Sequence, residues 1–153
     1  MNYTAYFTKN LISNGHAPVQ NNDPIAMDKK SILIIDDDNS TRLLLGYLLR
    51  KDYDVTTKQD GFEGMVWLNN GHIPDLILLD MSMPRLSGYN FLENIRKSGF
   101  FKEIPVIIIS GSNRHKDVEF FLKNGKNDFL PKPFNPQDLF SKVRKALNDT
   151  PNS

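Results

Sequence analysis

Three consecutive aspartates, Asp36, Asp37 and Asp38, follow directly on four aliphatic residues in the stretch ILIIDDDNS, residues 32–40. Two like charges about 4 Å apart repel by roughly 4 kcal/mol at an effective dielectric of about 20, so acids crowded at the lip of an apolar core need a positive partner. Three further residues share that setting: Asp80 ends LILLD, Ser110 ends VIIIS and Lys132 ends DFLPK. Carboxylates without histidine or cysteine beside them suit a hard cation such as Mg²⁺, which takes oxygen ligands, typically one or two carboxylates together with a phosphate. Zinc is disfavoured, because the chain has no cysteine and its histidines, His16, His72 and His115, are scattered. The lysine adds a fixed positive charge for an anion. Carboxylate, Mg²⁺, hydroxyl and ammonium together suit phosphoryl transfer, where positioning and charge neutralisation do most of the catalysis. One carboxylate can itself be the nucleophile, giving an aspartyl phosphate.

These side chains sit at the ends of segments that predict their own structure. SILII (31–35), LILLD (76–80) and VIIIS (106–110) are almost unbroken in Ile, Leu and Val, which predicts strands buried on both faces of a parallel sheet. DVTTK (54–58) alternates more and is expected at an edge. DFLPK (128–132) is a short fifth strand whose Pro131 also argues for an edge or strand-end position. Between the strands, Asn39 and Ser40 are candidate N-caps, with Asp38 expected to help start the helix beside them, ahead of Leu44, Leu45, Leu48 and Leu49 at helical spacing. Asp60 with Glu63 makes a capping-box-like start for a helix expected to carry Phe62, Met65 and Val66 inward. Phe91, Leu92 and Ile95 mark a third helix, and Val118, Phe121 and Leu122 a fourth. The fifth opens with NPQD: Asn135 caps, Pro136 takes the first helical position, and Leu139, Phe140, Val143 and Leu147 form the stripe.

Five strand–helix units predict an α/β fold, simplest as a doubly wound open sheet with helices on both faces. Ligands of such sheets bind beyond the carboxyl ends of the strands, at the switch point. Asp36, Asp37, Asp80, Ser110 and Lys132 all fall on that rim. Singly, a strand-end aspartate is often a helix cap, a serine a turn former and a lysine plain surface; together they converge on a site.

The 153 residues suit one domain of ordinary size. The absence of cysteine removes disulfides and fits a reducing compartment, so a cytoplasmic location is expected. With 19 basic and 18 acidic residues, no overall field points to nucleic acid or an anionic membrane. Lys29-Lys30 and Arg144-Lys145 read as solvated surface, and no apolar run approaches the ~20 residues of a membrane helix. Residues 1–27, rich in Asn, Thr and Ser, lack the basic start and apolar stretch of a signal peptide. They are expected to be a disordered tail or an unused upstream start, with the domain over 28–148 and a C-terminal tail over 149–153.

Four segments, ILIIDDD, DLILLDMSMPRLSG, PVIIISG and DFLPKPF, stand in the order and spacing of a response-regulator receiver domain, which the chain resembles from about Lys29 to Leu147. The resemblance implies a flavodoxin-like, doubly wound five-stranded parallel sheet of order 2-1-3-4-5 with five helices. It implies Asp80 as phosphoacceptor. Asp37 and Asp80 would be direct Mg²⁺ ligands, joined by the backbone carbonyl of Ser82, with Asp36 acting mostly through a metal-bound water. Lys132 would contact one phosphoryl oxygen, and the Ser110 hydroxyl would move to contact another after transfer. Phe129 occupies the place of an aromatic residue that swings inward in the family as the face of the fourth and fifth helices changes shape, although Phe lacks the hydroxyl that many relatives carry. Ser82 and Ser112 stand where the family tunes dephosphorylation. The Lys132-Pro133 bond resembles one that is cis in the family, and X-Pro is the one place where cis is cheap. Ser87 replaces an acidic residue often seen before the glycine, which amounts to exchanging one helix cap for another.

No GxxxxGK[ST] or GxGxxG occurs, so the phosphoryl group is expected from outside, by resemblance from the phosphohistidine of a sensor histidine kinase or histidine phosphotransfer protein. The leading expectation is a Mg²⁺-dependent phosphoacceptor switch that acts through an output partner or a homodimer, without direct nucleic-acid or membrane contact. It would catalyse only its own phosphorylation and dephosphorylation. An alternative is the receiver part of a longer regulator with a DNA-binding or catalytic output. A second alternative is a Mg²⁺-dependent phosphohydrolase with an Asp nucleophile, which would want a second acid where Ser82 stands and usually a cap insertion. Flavodoxin-like cofactor binding ranks lower, since the first strand-to-helix loop is acidic and repels phosphate unless a metal intervenes.

Overall fold

The aliphatic runs form strands because both faces of each are covered, so almost every side chain in them is apolar. The computed structural model describes residues 28–111, 119, 122–123 and 125–148. In chain order the elements are β1 (Ser31–Ile35), α1 (Asn39–Leu49), β2 (Asp54–Lys58), α2 (Gly61–Asn69), β3 (Leu76–Asp80), α3 (Gly88–Lys97), β4 (Val106–Ser110), β5 (Asn127–Pro131) and α4 (Pro136–Leu147). The strands form one five-stranded sheet of order β2-β1-β3-β4-β5, every adjacent pair parallel. This is the doubly wound, flavodoxin-like sheet expected. Strands β1, β3 and β4 are central and aliphatic apart from one polar end residue each, whereas β2 and β5 are the edges, as their composition and Pro131 predict. β5 begins at Asn127, one residue before the expected start, because Asn127 already pairs with Val106.

Side chains alternate across a strand, so β1 feeds two cores. Leu33 and Ile35 join Leu68 of α2 and Phe91, Leu92 and Ile95 of α3 on one face. Ile32 and Ile34 join Leu45 and Leu49 of α1 and Leu139, Val143 and Leu147 of α4 on the other. Arg96, near the end of α3, binds the loops at the opposite end of the sheet from the acidic rim. Its guanidinium donates to the carbonyls of Lys102 and Ile104 at 2.8 Å each, to that of Lys126 at 3.2 Å, and to the Asn127 side chain.

The helix starts hold, with one relocation. Asp60, Ser87 and Asn135 cap α2, α3 and α4, their side chains accepting from the N–H of Glu63, Asn90 and Asp138. For α1 the cap is Asp38, expected to help start the helix, rather than Asn39 or Ser40: its carboxylate accepts from both the N–H and the hydroxyl of Thr41, at 2.8 and 2.7 Å. Two facing assignments are corrected. Phe62 and Val66 of α2 are exposed rather than inward, with Met65 half-buried, and the face toward the sheet carries Gly61, Gly64 and Leu68. A Cβ on Gly64 would lie 2.5 Å from Cδ1 of Ile35, so the helix rests on the sheet through a residue without a side chain. In α1, Leu44 is exposed while Leu45 and Leu49 are buried. The helix expected around Val118, Phe121 and Leu122 falls largely outside the described residues; Leu122, which is described, is exposed. The last helix, fifth in expectation, is therefore α4 here.

Phe91, the largest fully buried side chain among the described residues, shares a core with Leu33 and Ile35 of the sheet and Leu68 of α2. Phe91→Ala is expected to cost about 3–5 kcal/mol of stability in urea unfolding, through lost burial and the cavity left behind.

Candidate functional site

The sheet order reverses between β1 and β3, and the acids flank that switch point: Asp36 and Asp37 just beyond β1, Asp80 at the end of β3. Asp36 is buried, Asp37 exposed and Asp80 buried. One carboxylate oxygen from each lies within 4.8 Å of the others, an all-oxygen donor set that fits a hard cation. Lys132 follows β5, whose edge continues for one more residue as the Lys132 N–H donates to the Ser110 carbonyl at 3.0 Å. Its ammonium reaches across the rim to Oδ2 of Asp36 at 3.0 Å and Oδ1 of Asp80 at 3.6 Å. The positive partner that the crowded acids require is thus supplied by the far strand.

Asp36 is fully engaged. Its Oδ2 accepts from Lys132, its Oδ1 accepts from the Asp38 N–H at 2.9 Å, and its carbonyl accepts from the Arg42 guanidinium at 2.7 Å. Arg42 also donates to Asn39, so the acidic loop is held from within α1. Burial and the neighbouring Asp36 charge push the Asp80 carboxyl up to about 6, against the opposing pull of Lys132 and of the Ser82 N–H, which donates to it. For Lys132, burial works to lower the ammonium, but the hydrogen bond to Asp36 and the attraction of Asp80 outweigh it, and the group stays charged above the ordinary lysine value.

The remaining expected residues are placed as follows. Ser110 is buried at the end of β4 beside Lys132. Ser82 lies exposed in the loop after Asp80. Phe129 is half-buried in β5 opposite Ile108 and packs against the core on the α2–α3 face. The Lys132-Pro133 peptide is cis. Ser112 lies outside the described residues. Two supporting residues were given no role by the sequence pattern: Arg42, whose part follows from the helical turn it occupies, and Gly88, which entered only as the last residue of the DLILLDMSMPRLSG segment. A Cβ on Gly88 would collide with the Asp80 carbonyl oxygen, so the start of α3 presses directly on the backbone of the acid.

Residues 32–144 match the response regulator receiver domain family. The chain belongs to that family. Among curated relatives, the probable transcriptional regulator ycf27 of Cyanophora paradoxa is 35% identical over 127 residues, covering 82% of this chain and 52% of that protein. The chain spans about half the length of this and the next ycf27 relatives it matches. Of solved structures, the chemotaxis protein CheY4 of Vibrio cholerae superposes with a TM-score of 0.71 at 26% identity, covering 78% of this chain and 99% of that one. The receiver domain of the sensor histidine kinase PA1611 of Pseudomonas aeruginosa PAO1, solved with a magnesium ion coordinated in its active-site cleft, superposes with a TM-score of 0.69 at 28% identity, covering 78% and 98%. The protein is thus a receiver domain of the two-component type with the chemotaxis-receiver fold. Among the described residues no helix is long and apolar enough to cross a membrane.

The raised Asp80 carboxyl has a consequence for stability without metal. Between the unfolded value of 3.8 and about 6 the folded receiver binds more protons than the unfolded chain, so stability falls as pH rises through that window. Asp80→Asn, neutral throughout, escapes the loss. In EDTA its advantage over the native chain in thermal unfolding should widen from about pH 4 to about pH 7; an advantage independent of pH would contradict the strained carboxylate.

Proposed function

We propose that this receiver takes a phosphoryl group from the phosphohistidine of a sensor histidine kinase or histidine phosphotransfer protein onto Asp80, with Mg²⁺, and then presents an altered surface to an output partner or a second copy of itself. The observation that carries the reading is the convergence of three carboxylate oxygens within 4.8 Å, with the Lys132 ammonium on two of the same acids. Both oxygens of Asp36 already accept hydrogen bonds, which favours Asp37, Asp80 and the Ser82 backbone carbonyl as direct ligands and Asp36 through water. Mg²⁺, when bound, would offset the carboxylate repulsion and the charge of the incoming phosphoryl group.

In the transfer, a carboxylate oxygen of Asp80 attacks phosphorus, the new O–P bond forms as the P–N bond to the donor imidazole breaks, and the imidazole nitrogen leaves with the electron pair and takes up a proton. Lys132 holds one phosphoryl oxygen by exchanging part of its pairing with Asp80. Ser110, at the end of the neighbouring strand, donates its hydroxyl to another, and Phe129 follows it inward. Ser82 and Ser112 are small enough to leave water access and so tune dephosphorylation. The domain over residues 28–148 works as a cytoplasmic signalling acceptor rather than a turnover enzyme. A second reading, the receiver part of a longer regulator with a DNA-binding or catalytic output, is favoured by the ycf27 relative, a probable transcriptional regulator about twice as long as the matched region.

Labelling by a small acyl phosphate tests the acceptor assignment. Asp80→Asn should take no label and EDTA should stop transfer to the native chain, whereas labelling at the native rate would refute the assignment. Asp37→Ala should weaken Mg²⁺ binding by about tenfold or more in calorimetry, and Asp38→Ala far less, because Asp38 serves the helix. Ser110→Ala should label yet fail to change partner affinity on phosphorylation, as read by pull-down with and without donor. Native behaviour in both measurements would remove Ser110 from the switch.

A further inference from the structure

The loop Met81–Ser87 carries the Ser82 backbone past the acids, and it is held at both ends by close backbone approach. Gly88 presses on the Asp80 carbonyl, and a Cβ on Gly61, the first residue of α2, would lie 2.6 Å from the Leu86 carbonyl oxygen. Between these contacts stands Arg85, with φ at 65°, in the left-handed region that side chains other than glycine, asparagine and aspartate rarely visit. Such a conformation persists only where surrounding contacts determine it. Here they are two. The Arg85 guanidinium lies 3.3 Å from Oδ2 of the buried Asp60 and 5.0 Å above the centre of the Phe62 ring. Asp60 is itself fixed, since its Oδ1 accepts from the Glu63 N–H at 2.8 Å as the cap of α2.

We propose that Arg85 is a positioning residue for Mg²⁺ at the acidic rim: its ion pair with Asp60 sets the path of the loop and hence the place of the Ser82 backbone beside Asp80. The proposal rests on the phosphoacceptor reading above. It gives a purpose to a buried carboxylate, an exposed aromatic ring and a strained arginine that the direct chemistry does not use. Partners behind the ligands of a metal commonly change its affinity by about 10–100-fold.

Two variants remove the charge pair while sparing the backbone. Arg85→Asn keeps a residue that tolerates the left-handed conformation, and Asp60→Asn keeps an effective helix cap. Calorimetric titration with Mg²⁺ should show affinity lowered about tenfold in both, with Arg85→Lys restoring most of it. The Mg²⁺ concentration for half-maximal labelling by a small acyl phosphate should rise in parallel while the plateau rate is retained. Variants that melt earlier but bind Mg²⁺ as the native chain does would assign the pair a purely structural role and overturn the proposal. If the native chain binds Mg²⁺ but takes no label, the phosphoacceptor reading falls, and the calorimetric comparison still decides whether Arg85 positions the metal site.

Discussion

The placement of negative charge at the carboxyl edge of the sheet governs the rest of this molecule. Asp36 and Asp80 are buried at the rim of an apolar core, with Asp37 beside them, and burial together with the Asp36 charge holds the Asp80 carboxyl up at about 6. Lys132 offsets this from the opposite side of the switch point. The attraction is not spare stability: it compensates a destabilising arrangement, one that the proposed Mg²⁺ and phosphoryl group would relieve. A protein selected for stability alone would fill this rim with apolar residues, since a buried ion pair seldom outperforms them.

The scaffold around the rim is correspondingly rigid. Central strands apolar on both faces fix the ends of β1, β3 and β4, and the helix starts press on the connecting loops through glycines rather than through long side chains. Polar anchors finish the work, Arg42 on the carbonyl of Asp36 and Arg96 on the loops at the other end of the sheet. Thus the polar side chains of the rim project from short segments whose backbone has few alternatives.

Strand positions and rim residues were legible because their signals are local. An unbroken aliphatic run ending in a polar residue says both what the segment is and where its chemistry emerges, and four of the five strands have the expected bounds. The facing of α2 was misread for a physical reason: Phe62 and Val66 carry the periodic apolar signal, but the helix approaches the sheet through Gly64, where no side chain can stand. Leu44 fails similarly, since a helix with leucines at four of six neighbouring positions has more apolar surface than one face of the sheet can cover. Three capping residues in a row left the start of α1 open until the Asp38–Thr41 hydrogen bonds fixed it. The pairing of Arg85 with Asp60 had no sequence signal, because only the folding of β2 and β3 into one sheet brings those residues together.

The alternation of β1 has a further effect on the triplet that follows it. Because successive side chains point to opposite faces, a slip of one residue in the pairing of β1 would exchange the faces of the whole strand. It would also put Asp37 in the enclosed seat beneath the lysine and leave Asp36 in solvent. Three chemically identical carboxylates in a row therefore acquire three distinct environments, lysine partner, open rim and helix cap, beginning from strand register. The aliphatic residues Ile32 to Ile35, which touch no ligand, act as the address system that tells one aspartate from the next.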